Sequence, residues 1–397
     1  MTRGRIRHGA AAAGVALASG VLAVSGLAGP GDTKINRYKV GKFPIELAVG
    51  DFNRDGRKDL AVTNFQSTPK SISILRGRAR GRFAPARTIP LPDGAQPDGI
   101  AVARFGSGRD QDLVVGTLGS EVLLFKGSSG ASFTLSQPLV ISGAPRDVAT
   151  GDFNRDGLTD IAANRQEAGD VMTWLGTGGM AFGPADQNVG GGSRALVVAR
   201  LDPGRQLDLA SIDFLIDGVA VFRGAPDGTF GDAVPVMANT FPASLAVADL
   251  DRDGRNDVIA GLVGDRPRLA VSRGLPGGAF SAPVTLTVGR RAMVVQDIAV
   301  TRINRDRDPD LVLVGPQVGG IRAAHRQRRG GSDVPARVLF LKGRDGINLR
   351  RAREIRLAGN ASAVTSARFD GGGRDVAVTA YPDDDDRRGK AVVIRNP

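Results

Sequence analysis

The sequence predicts an all-β protein, a seven-bladed β-propeller in which four-stranded antiparallel blades form a closed ring. Three observations lead to this prediction. A turn rich in Asp and Gly recurs at intervals of about fifty residues along the chain. Short apolar runs bounded by Gly, Pro and Asp fill these intervals, which is typical of strands. The N-terminal region also offers a strand that the last unit lacks.

The aspartate that closes the turn marks the phase of the repeat. The fullest turns read GDFNRDGRKDL at 50–60, GDFNRDGLTDI at 151–161 and ADLDRDGRNDV at 248–258. The closing residues are Asp59, Asp112, Asp160, Asp208, Asp257, Asp310 and Asp375. They predict blades at about 41–91, 92–140, 141–189, 190–237, 238–288, 289–357 and 358–397.

Each unit has the same order of apolar runs. In the first unit, IELAV precedes the turn, while LAVTN, SISILRG and an aromatic-led RFAPARTI follow it. Alternating, β-branched runs of this length predict four short strands. The seventh unit stops after its third run, AVVIRN at 391–396, and TKINRYKV at 33–40 lies where a fourth strand is needed. We therefore expect 33–40 to complete the last blade, which leaves the ring without a free edge.

The first 28 residues are predicted to be a secretory signal peptide that is removed. Arg3, Arg5 and Arg7 precede a weakly hydrophobic run from about Gly9 to Ala28 that has no acidic residue. A retained N-terminal anchor is the alternative. The remaining chain, 29–397, is expected to be a single domain without a membrane span, secreted or held in the cell envelope. It has no cysteine, so disulfides cannot stabilise it.

These repeats resemble the FG-GAP/VCBS repeat family, found in the head propeller of integrin α-chains and in many exported bacterial proteins. The shared pattern is P-x-x-[LIV]-A-V-x-D-[FL]-[ND]-x-D-G-x-x-D-[LIV], with a following F-G-P-A that stands at 182–185. The resemblance covers about residues 33–397. It implies a seven-bladed propeller with calcium in the turns between first and second strands.

Three turns place oxygen-bearing side chains at alternating positions, as loops that bind Ca²⁺ do. A hairpin turn without metal is the alternative, although its carboxylates would repel one another. We predict about three Ca²⁺ sites, in blades 1, 3 and 5. The predicted ligands are Asp51, Asn53, Asp55, Arg57 (carbonyl) and Asp59; Asp152, Asn154, Asp156, Leu158 (carbonyl) and Asp160; and Asp249, Asp251, Asp253, Arg255 (carbonyl) and Asp257.

The other four turns begin with arginine in place of the first aspartate. We expect this arginine to replace the cation and to pair with the closing aspartate. The sixth loop keeps Asn304, Asp306 and Asp310, so a weak metal site there is an open alternative. The arginines are Arg104, Arg200, Arg302 and Arg368.

Residues suited to catalysis are few. The histidines are His8 and His325, which leaves little scope for a zinc site or a Ser-His-Asp triad. Glu46, Asp147 and Asp297 occupy equivalent positions near the start of the first strand. We expect them at the mouth of the central channel, where carboxylates can bind a ligand or hydrolyse glycosides. The alternative is a polar rim around a wet channel.

The expected function is binding rather than catalysis. Two long segments, 316–336 and 381–390, interrupt blades 6 and 7 between their second and third strands, on the face opposite the metal turns. Rigid scaffolds often carry binding residues on such loops. The sequence therefore favours an exported, calcium-binding, adhesion-type module that binds a protein or a glycan. A polysaccharide hydrolase or lyase and a purely structural surface module are the alternatives. Aromatic residues are 5% of the chain, which argues against a specific nucleic-acid partner.

Overall fold

The computed structural model is a seven-bladed β-propeller of antiparallel sheets, as the sequence predicts. None of its described helical segments is long and apolar enough to cross a membrane. The predicted signal peptide, His325 and most of 316–336 and 381–390 lie outside the described residues. The structure describes 34–106, 108–184, 186–188, 194–264, 266–304, 306–316, 335–344, 347–357, 359–370, 373–381 and 389–395.

The two inner strands of each blade flank the Asp-rich turn. Every second strand begins at the closing aspartate. The first strands are Pro44–Gly50, Pro97–Ala103, Val148–Gly151, Arg194–Ala199, Pro242–Ala248, Asp297–Thr301 and Asn360–Ala367. The second strands are Asp59–Asn64, Asp112–Thr117, Asp160–Arg165, Asp208–Asp213, Asp257–Leu262, Asp310–Gly315 and Asp375–Tyr381.

The two outer strands complete each blade. The third strands are Ser71–Leu75, Glu121–Ser128, Asp170–Trp174, Gly218–Phe222, Arg268–Ser272, Ala336–Arg344 and Lys390–Arg395. The fourth strands are Arg87–Pro90, Ser132–Leu135 with Leu139–Val140, Asp186–Asn188, Val234–Met237, Val284–Thr287, Asn348–Leu357 and Lys34–Lys39. Two small hairpins pair Gly77–Arg78 with Arg82–Phe83 and Gly176–Gly178 with Ala181–Phe182, and two 3₁₀ turns span Ala79–Gly81 and Pro276–Gly278.

The N-terminal strand closes the ring, as predicted. Lys34–Lys39 pairs antiparallel with Lys390–Arg395 and is the outer strand of blade 7. The first strands of neighbouring blades contact one another all the way round. Between blades 7 and 1, the hydroxyl of Ser362 donates a hydrogen bond to the carbonyl of Pro44 at 2.9 Å. Neither end of the described chain therefore leaves an open seam in the ring.

The core lies between blades rather than within them. Seven large apolar clusters of described residues each combine the facing sides of two adjacent blades. Trp174 belongs to one of them. In four blades the second residue of the turn is a phenylalanine that packs edge-to-face on an aromatic residue of the next blade. These pairs are Phe52 with Phe133, Phe105 with Phe182, Phe153 with Phe230 and Phe369 with Phe83.

The aromatic-led fourth strands are shorter than predicted. Phe230 and Phe280 form isolated bridges to Gly224 and Gly274, at the end of the third strand. The ladder of the outer strand begins only at Val234 in blade 4 and at Val284 in blade 5. The aromatic residue thus packs between two blades, and the outer strand starts after it.

Candidate metal centres

The closing aspartate is a buried hydrogen-bond acceptor in all seven blades. In blade 1, Asp59 accepts the backbone N–H of Phe52 at 2.8 Å and that of Gly77 at 2.6 Å, one with each oxygen. It therefore joins the turn and the end of the third strand to the start of the second. The equivalent donors to the next five closing aspartates are Phe105 and Gly127, Phe153 and Gly176, Leu201 and Gly224, Leu250 and Gly274, and Ile303 and Gly343.

The donor glycine has no room for a side chain. A Cβ atom on Gly77 would lie 2.3 Å from the carbonyl oxygen of Lys58, and one on Gly127 would lie 2.0 Å from that of Gln111. Both carbonyls precede a closing aspartate. The Gly that ends each alternating run is the sequence signal for this contact, although the run by itself indicates only where the third strand ends.

Burial raises the pKa of five closing aspartates: Asp59, Asp160, Asp208, Asp257 and Asp310. It raises the pKa of Asp59 and of Asp257 to about 6, while the two backbone hydrogen bonds oppose the shift. The charges of Asp51 and Asp55 raise the pKa of Asp59 further. These loops therefore concentrate negative charge that a cation would neutralise.

The three full turns share one backbone conformation. Their fourth residue, an arginine, has a positive φ of 60°, 65° and 62°, and the glycine two residues later has φ of 81°, 88° and 88°. Residues with a Cβ atom rarely adopt such backbone angles, so the same strained conformation recurs in all three loops. These residues are Arg54, Arg155 and Arg252, and Gly56, Gly157 and Gly254.

Hydrogen bonds within these turns also repeat. The glycine N–H donates to the first aspartate at 3.0–3.1 Å, and the seventh residue's N–H donates to the fifth-position aspartate at 2.8–2.9 Å. The side chains at positions one, three and five therefore gather around one point. In blade 5, the carboxylates of Asp249, Asp251 and Asp253 place oxygens within 4.8 Å of one another.

The donor set fits a hard cation. Oδ1 of Asp152 and Oδ1 of Asp249 are buried and accept no hydrogen bond. An unpaired buried carboxylate oxygen is costly, and calcium coordinates such oxygens readily. In blade 1 the corresponding Asp51 is better satisfied, because its oxygens accept the N–H groups of Asp55 and Gly56. Blade 5, with three carboxylates, is the most strongly acidic of the loops.

The closing aspartate stands apart from this group of ligands. Asp257 lies outside the cluster formed by Asp249, Asp251 and Asp253. Because both of its oxygens hold backbone N–H groups, it would reach a cation only through its remaining lone pairs. The structure thus brings three of the four predicted side-chain ligands together in blade 5, and it gives the fourth a structural role.

The expected arginine–aspartate pairs of the other blades do not form. Arg104, Arg200, Arg302 and Arg368 are exposed, and none forms an ion pair with a closing aspartate within the described ranges. The prediction is wrong because the aspartate oxygens are buried and already bonded to the backbone. Within the described part of the chain, Asp208 instead lies 3.7 Å from Arg223, a residue just beyond the third strand.

Ion pairs instead connect neighbouring turns. Arg54, in the turn of blade 1, pairs with Asp110 in the turn of blade 2. Arg252, in blade 5, pairs with Asp308 in blade 6 at 3.2 Å. The sixth turn keeps the bond from the N–H of Asp306 to the Asn304 side chain, at 2.9 Å. Two of the three candidate metal loops are therefore tied to the next blade.

The carboxylates expected at the channel mouth are buried between blades. Asp147 accepts the N–H of Val148 at 2.9 Å and that of Leu196, in the next blade, at 2.7 Å. Asp297 bonds in the same way to Ile298 and to Val364, both at 2.7 Å. Glu46 is also buried and accepts the N–H of Leu47. The open access expected for these groups is therefore wrong: Asp147 and Asp297 join the inner strands of adjacent blades, and Glu46 is buried and bonded within its own strand.

Burial also perturbs these inner carboxyls. It raises the pKa of Asp147 to about 8 and that of Asp297 to about 7. The pKa of Glu46 is raised by burial and then by the charge of Asp297. Nearby Asp98 is buried as well, and it pairs with Arg146 at 2.6 Å.

No family model matches the sequence, and no curated protein matches it. Solved structures resemble its fold. A crystal structure of BBS1N in complex with ARL6DN, soaked with lead, is 13% identical with a TM-score of 0.57, over 90% of this chain and 94% of that one. Raptor from Chaetomium thermophilum is 10% identical with a TM-score of 0.52, over 90% of this chain and 28% of that one. At these identities the chain is similar to them in its propeller fold alone.

Proposed function

We propose that this chain is an exported, calcium-binding β-propeller of the FG-GAP/VCBS repeat type that binds a protein or a glycan. The observation that carries the calcium proposal is the pair of buried, unpaired oxygens on Asp152 and Asp249. They occupy the first position of two loops that share a strained backbone conformation with a third. A hard cation is the partner that carboxylate and amide oxygens in this arrangement favour.

Three groups of residues would hold the cations: Asp51, Asn53 and Asp55; Asp152, Asn154 and Asp156; and Asp249, Asp251 and Asp253. Bound calcium would neutralise each loop and cross-link the end of the first strand to the start of the second. The chain itself supplies the rest: the positive-φ residues bend the turn, and the closing aspartate fixes it to the blade.

An apolar surface supports partner binding on the face opposite the metal turns. Phe214 and Leu215 are 45% and 82% exposed in blade 4, and Phe241 and Val263 are 56% and 50% exposed at the start and middle of blade 5. The N–H of Val263 donates to the carbonyl of Phe241 at 3.0 Å, so the two loops adjoin. Clustered exposed apolar side chains are typical of interaction sites. Segments 316–336 and 381–390 remain part of this proposal.

The catalytic alternative gains no support from the geometry. It relied on Glu46, Asp147 and Asp297, whose side chains are buried and accept backbone N–H groups, in Asp147 and Asp297 from the next blade. A substrate would have to displace those contacts to reach the carboxylates.

Calorimetry tests the calcium proposal. Extracellular modules bind calcium with Kd values of about 10⁻⁴–10⁻³ M, so ~1 mM calcium would add roughly 0.4–1.4 kcal/mol per site. Three sites would add about 1–4 kcal/mol to the free energy of unfolding, and chelation should lower the melting temperature by a few degrees. Calcium should restore it and an equal concentration of magnesium should not. An identical melting temperature with and without chelator would overturn the calcium proposal.

A screen of glycan arrays and protein pull-downs with the calcium-loaded protein tests the binding proposal. The variant Leu215→Ser should weaken capture of a partner that uses the apolar face. Val140→Ser, which changes a residue that is 77% exposed in blade 2, is the matched control. If no partner is captured, or if both variants bind as the wild type does, the apolar face is not a binding site. A purely structural module is then the better description.

A further inference from the structure

A groove of about 820 Å³ lies between the outer strands of blades 5 and 6. Arg266 and Arg290 line its blade 5 side, and Arg344, Arg350 and Arg351 line its blade 6 side. Val288 and Leu349 form the floor, because both also pack on the apolar cluster between these blades. The groove is therefore an open cleft whose walls are guanidinium groups and whose base is fixed by the core.

The groove is strongly positive. Five of the described residues that line it are arginine and none is acidic. Arg351 pairs with Glu354 at 3.1 Å, whereas the other four arginines form no ion pair within the described part of the chain. The excess of positive charge remains when every residue of the segments that form the groove is counted. The sequence holds nine arginines against three carboxylates in 263–268, 287–291 and 344–356.

The outer strand of blade 6 is built to present these side chains. A bulge shifts its register between Phe340 and Leu341, so Ala352 is an extra residue. Arg351 is then opposite Leu341, which faces blade 5. Bulges turn side chains to a chosen side of a strand. Beside the groove, Glu354 accepts ion pairs from Arg337, Arg351 and Arg356, which anchors the strand.

The chemistry of the walls defines the ligand. Guanidinium groups bind carboxylate and sulfate in a planar, two-pronged manner. Single-stranded nucleic acids require aromatic platforms for their bases, and no described lining residue is aromatic. Arginines on both walls, four of them without a carboxylate partner, suit a polymer that carries a negative charge on successive units. We propose that this groove binds a linear acidic polysaccharide.

This proposal deepens the glycan-binding role proposed above and rests on it, but it is independent of the calcium loops. Binding of heparin, polygalacturonate and neutral dextran to the purified protein should be measured by calorimetry at several salt concentrations. Heparin carries sulfate as well as carboxylate, whereas polygalacturonate carries carboxylate alone. At least one of the two should bind, dextran should not, and affinity should fall as salt rises, because ion pairs at an exposed groove are screened.

A charge-matched pair of variants locates the site. Arg290→Ser with Arg350→Ser should weaken binding about tenfold or more, since each loses a charge-assisted hydrogen bond. Arg76→Ser with Arg82→Ser removes the same charge from exposed positions in blade 1 and should change affinity less than threefold. Both double variants should keep the wild-type melting temperature.

Three outcomes would overturn the proposal. Equal losses in both double variants would mean diffuse attraction to a basic surface. Binding of duplex DNA as tightly as heparin, with the same loss in the groove variant, would mean a general polyanion site. Absence of binding to either acidic polysaccharide would remove the ligand class. If a partner were still captured through Leu215 in that case, the binding role would stand and only the groove assignment would fail.

Discussion

The turns of blades 1, 3 and 5 begin with aspartate, whereas those of blades 2, 4, 6 and 7 begin with arginine. Both sets end with an aspartate that is buried at the start of the second strand. In blade 1 and in blade 2 alike, that aspartate accepts the N–H of the turn's second residue and that of a distant glycine. The side-chain oxygens at the start of the turn, present in blades 1, 3 and 5, suit a bound ligand. The two carboxylate oxygens of the closing aspartate, present in every blade, stabilise the fold.

Replacing a closing aspartate should have the largest effect. Asp112→Ala leaves the N–H groups of Phe105 and Gly127 buried and unpaired, at a cost of about 3–6 kcal/mol for two bonds to a charged acceptor. Asp160→Ala, in a candidate metal loop, should cost as much in chelator. Urea denaturation measures both. A loss near 3–6 kcal/mol in Asp160→Ala but below about 1 kcal/mol in Asp112→Ala would contradict the shared structural role.

The buried carboxyls of Asp147 and Asp297 lie outside the turns that begin with aspartate or arginine. They should make the stability of the fold depend on pH. Asp147 and Asp297 have folded-state pKa values of about 8 and about 7, raised by burial, so the folded state holds protons that the unfolded state releases. Their contribution is complete below about pH 4 and is lost as pH rises towards 8.

The melting temperature in saturating calcium should therefore fall from pH 6 to pH 8. The free energy of unfolding should fall by about 1.4 kcal/mol per pH unit for each group still protonated. Asp147→Asn cannot titrate, so its profile should be flatter although its stability is lower throughout. A wild-type melting temperature that rises over this range, or an unchanged slope in the variant, would refute the assignment.

Most of the fold is predictable because its signals are local. Alternating apolar runs and the Asp-Gly turn each act within a few residues, and the spacing of the turns gives the blade count. The role of Asp59 is not predictable in the same way, since a metal ligand and an acceptor of backbone N–H groups use the same side chain. Burial decides between these roles, and it depends on Gly77, eighteen residues away.

Contacts between blades cannot be predicted from the sequence for a related reason: they depend on residues that are distant along the chain. Arg104 stands where a cation-replacing residue would stand, yet nothing local shows that it faces solvent. The ion pair of Arg54 with Asp110 joins two turns of different blades. The groove likewise draws Arg266 and Arg350 from the outer edges of two blades. Such juxtapositions follow from the twist and packing of blades, which the repeat pattern leaves unspecified.

Substitutions within the alternating turns should have intermediate effects. Asp55→Ala, Asp156→Ala and Asp253→Ala should each remove about a third of the calcium-dependent stabilisation, roughly 0.4–1.4 kcal/mol at ~1 mM calcium. Asp110→Ala, in the turn of blade 2, should leave that response intact. Calorimetric melting with calcium and with chelator measures all four. A calcium response that survives all three substitutions combined would place the cation elsewhere.

The ion pairs between turns should contribute least. Arg54 and Arg252 are 41% and 49% exposed, so breaking either pair should cost about 0.2–1 kcal/mol and less at high salt. A double-mutant cycle with Arg252→Ala and Asp308→Ala isolates the coupling. A coupling above about 2 kcal/mol would show that neighbouring turns act as one unit rather than separately.

The pairing of Lys34–Lys39 with Lys390–Arg395 has a consequence for biosynthesis. A ribosome makes the first of these strands at the start of the domain and its partner at the end. The hydrogen bond from Ser362 to Pro44 spans 318 residues of sequence, so the contacts that close the ring are among the least local in the chain. Contacts this distant form late, because the entropy of closing the loop must be overcome first. The nascent domain therefore carries an unpaired N-terminal strand until the last strand of blade 7 has been translated.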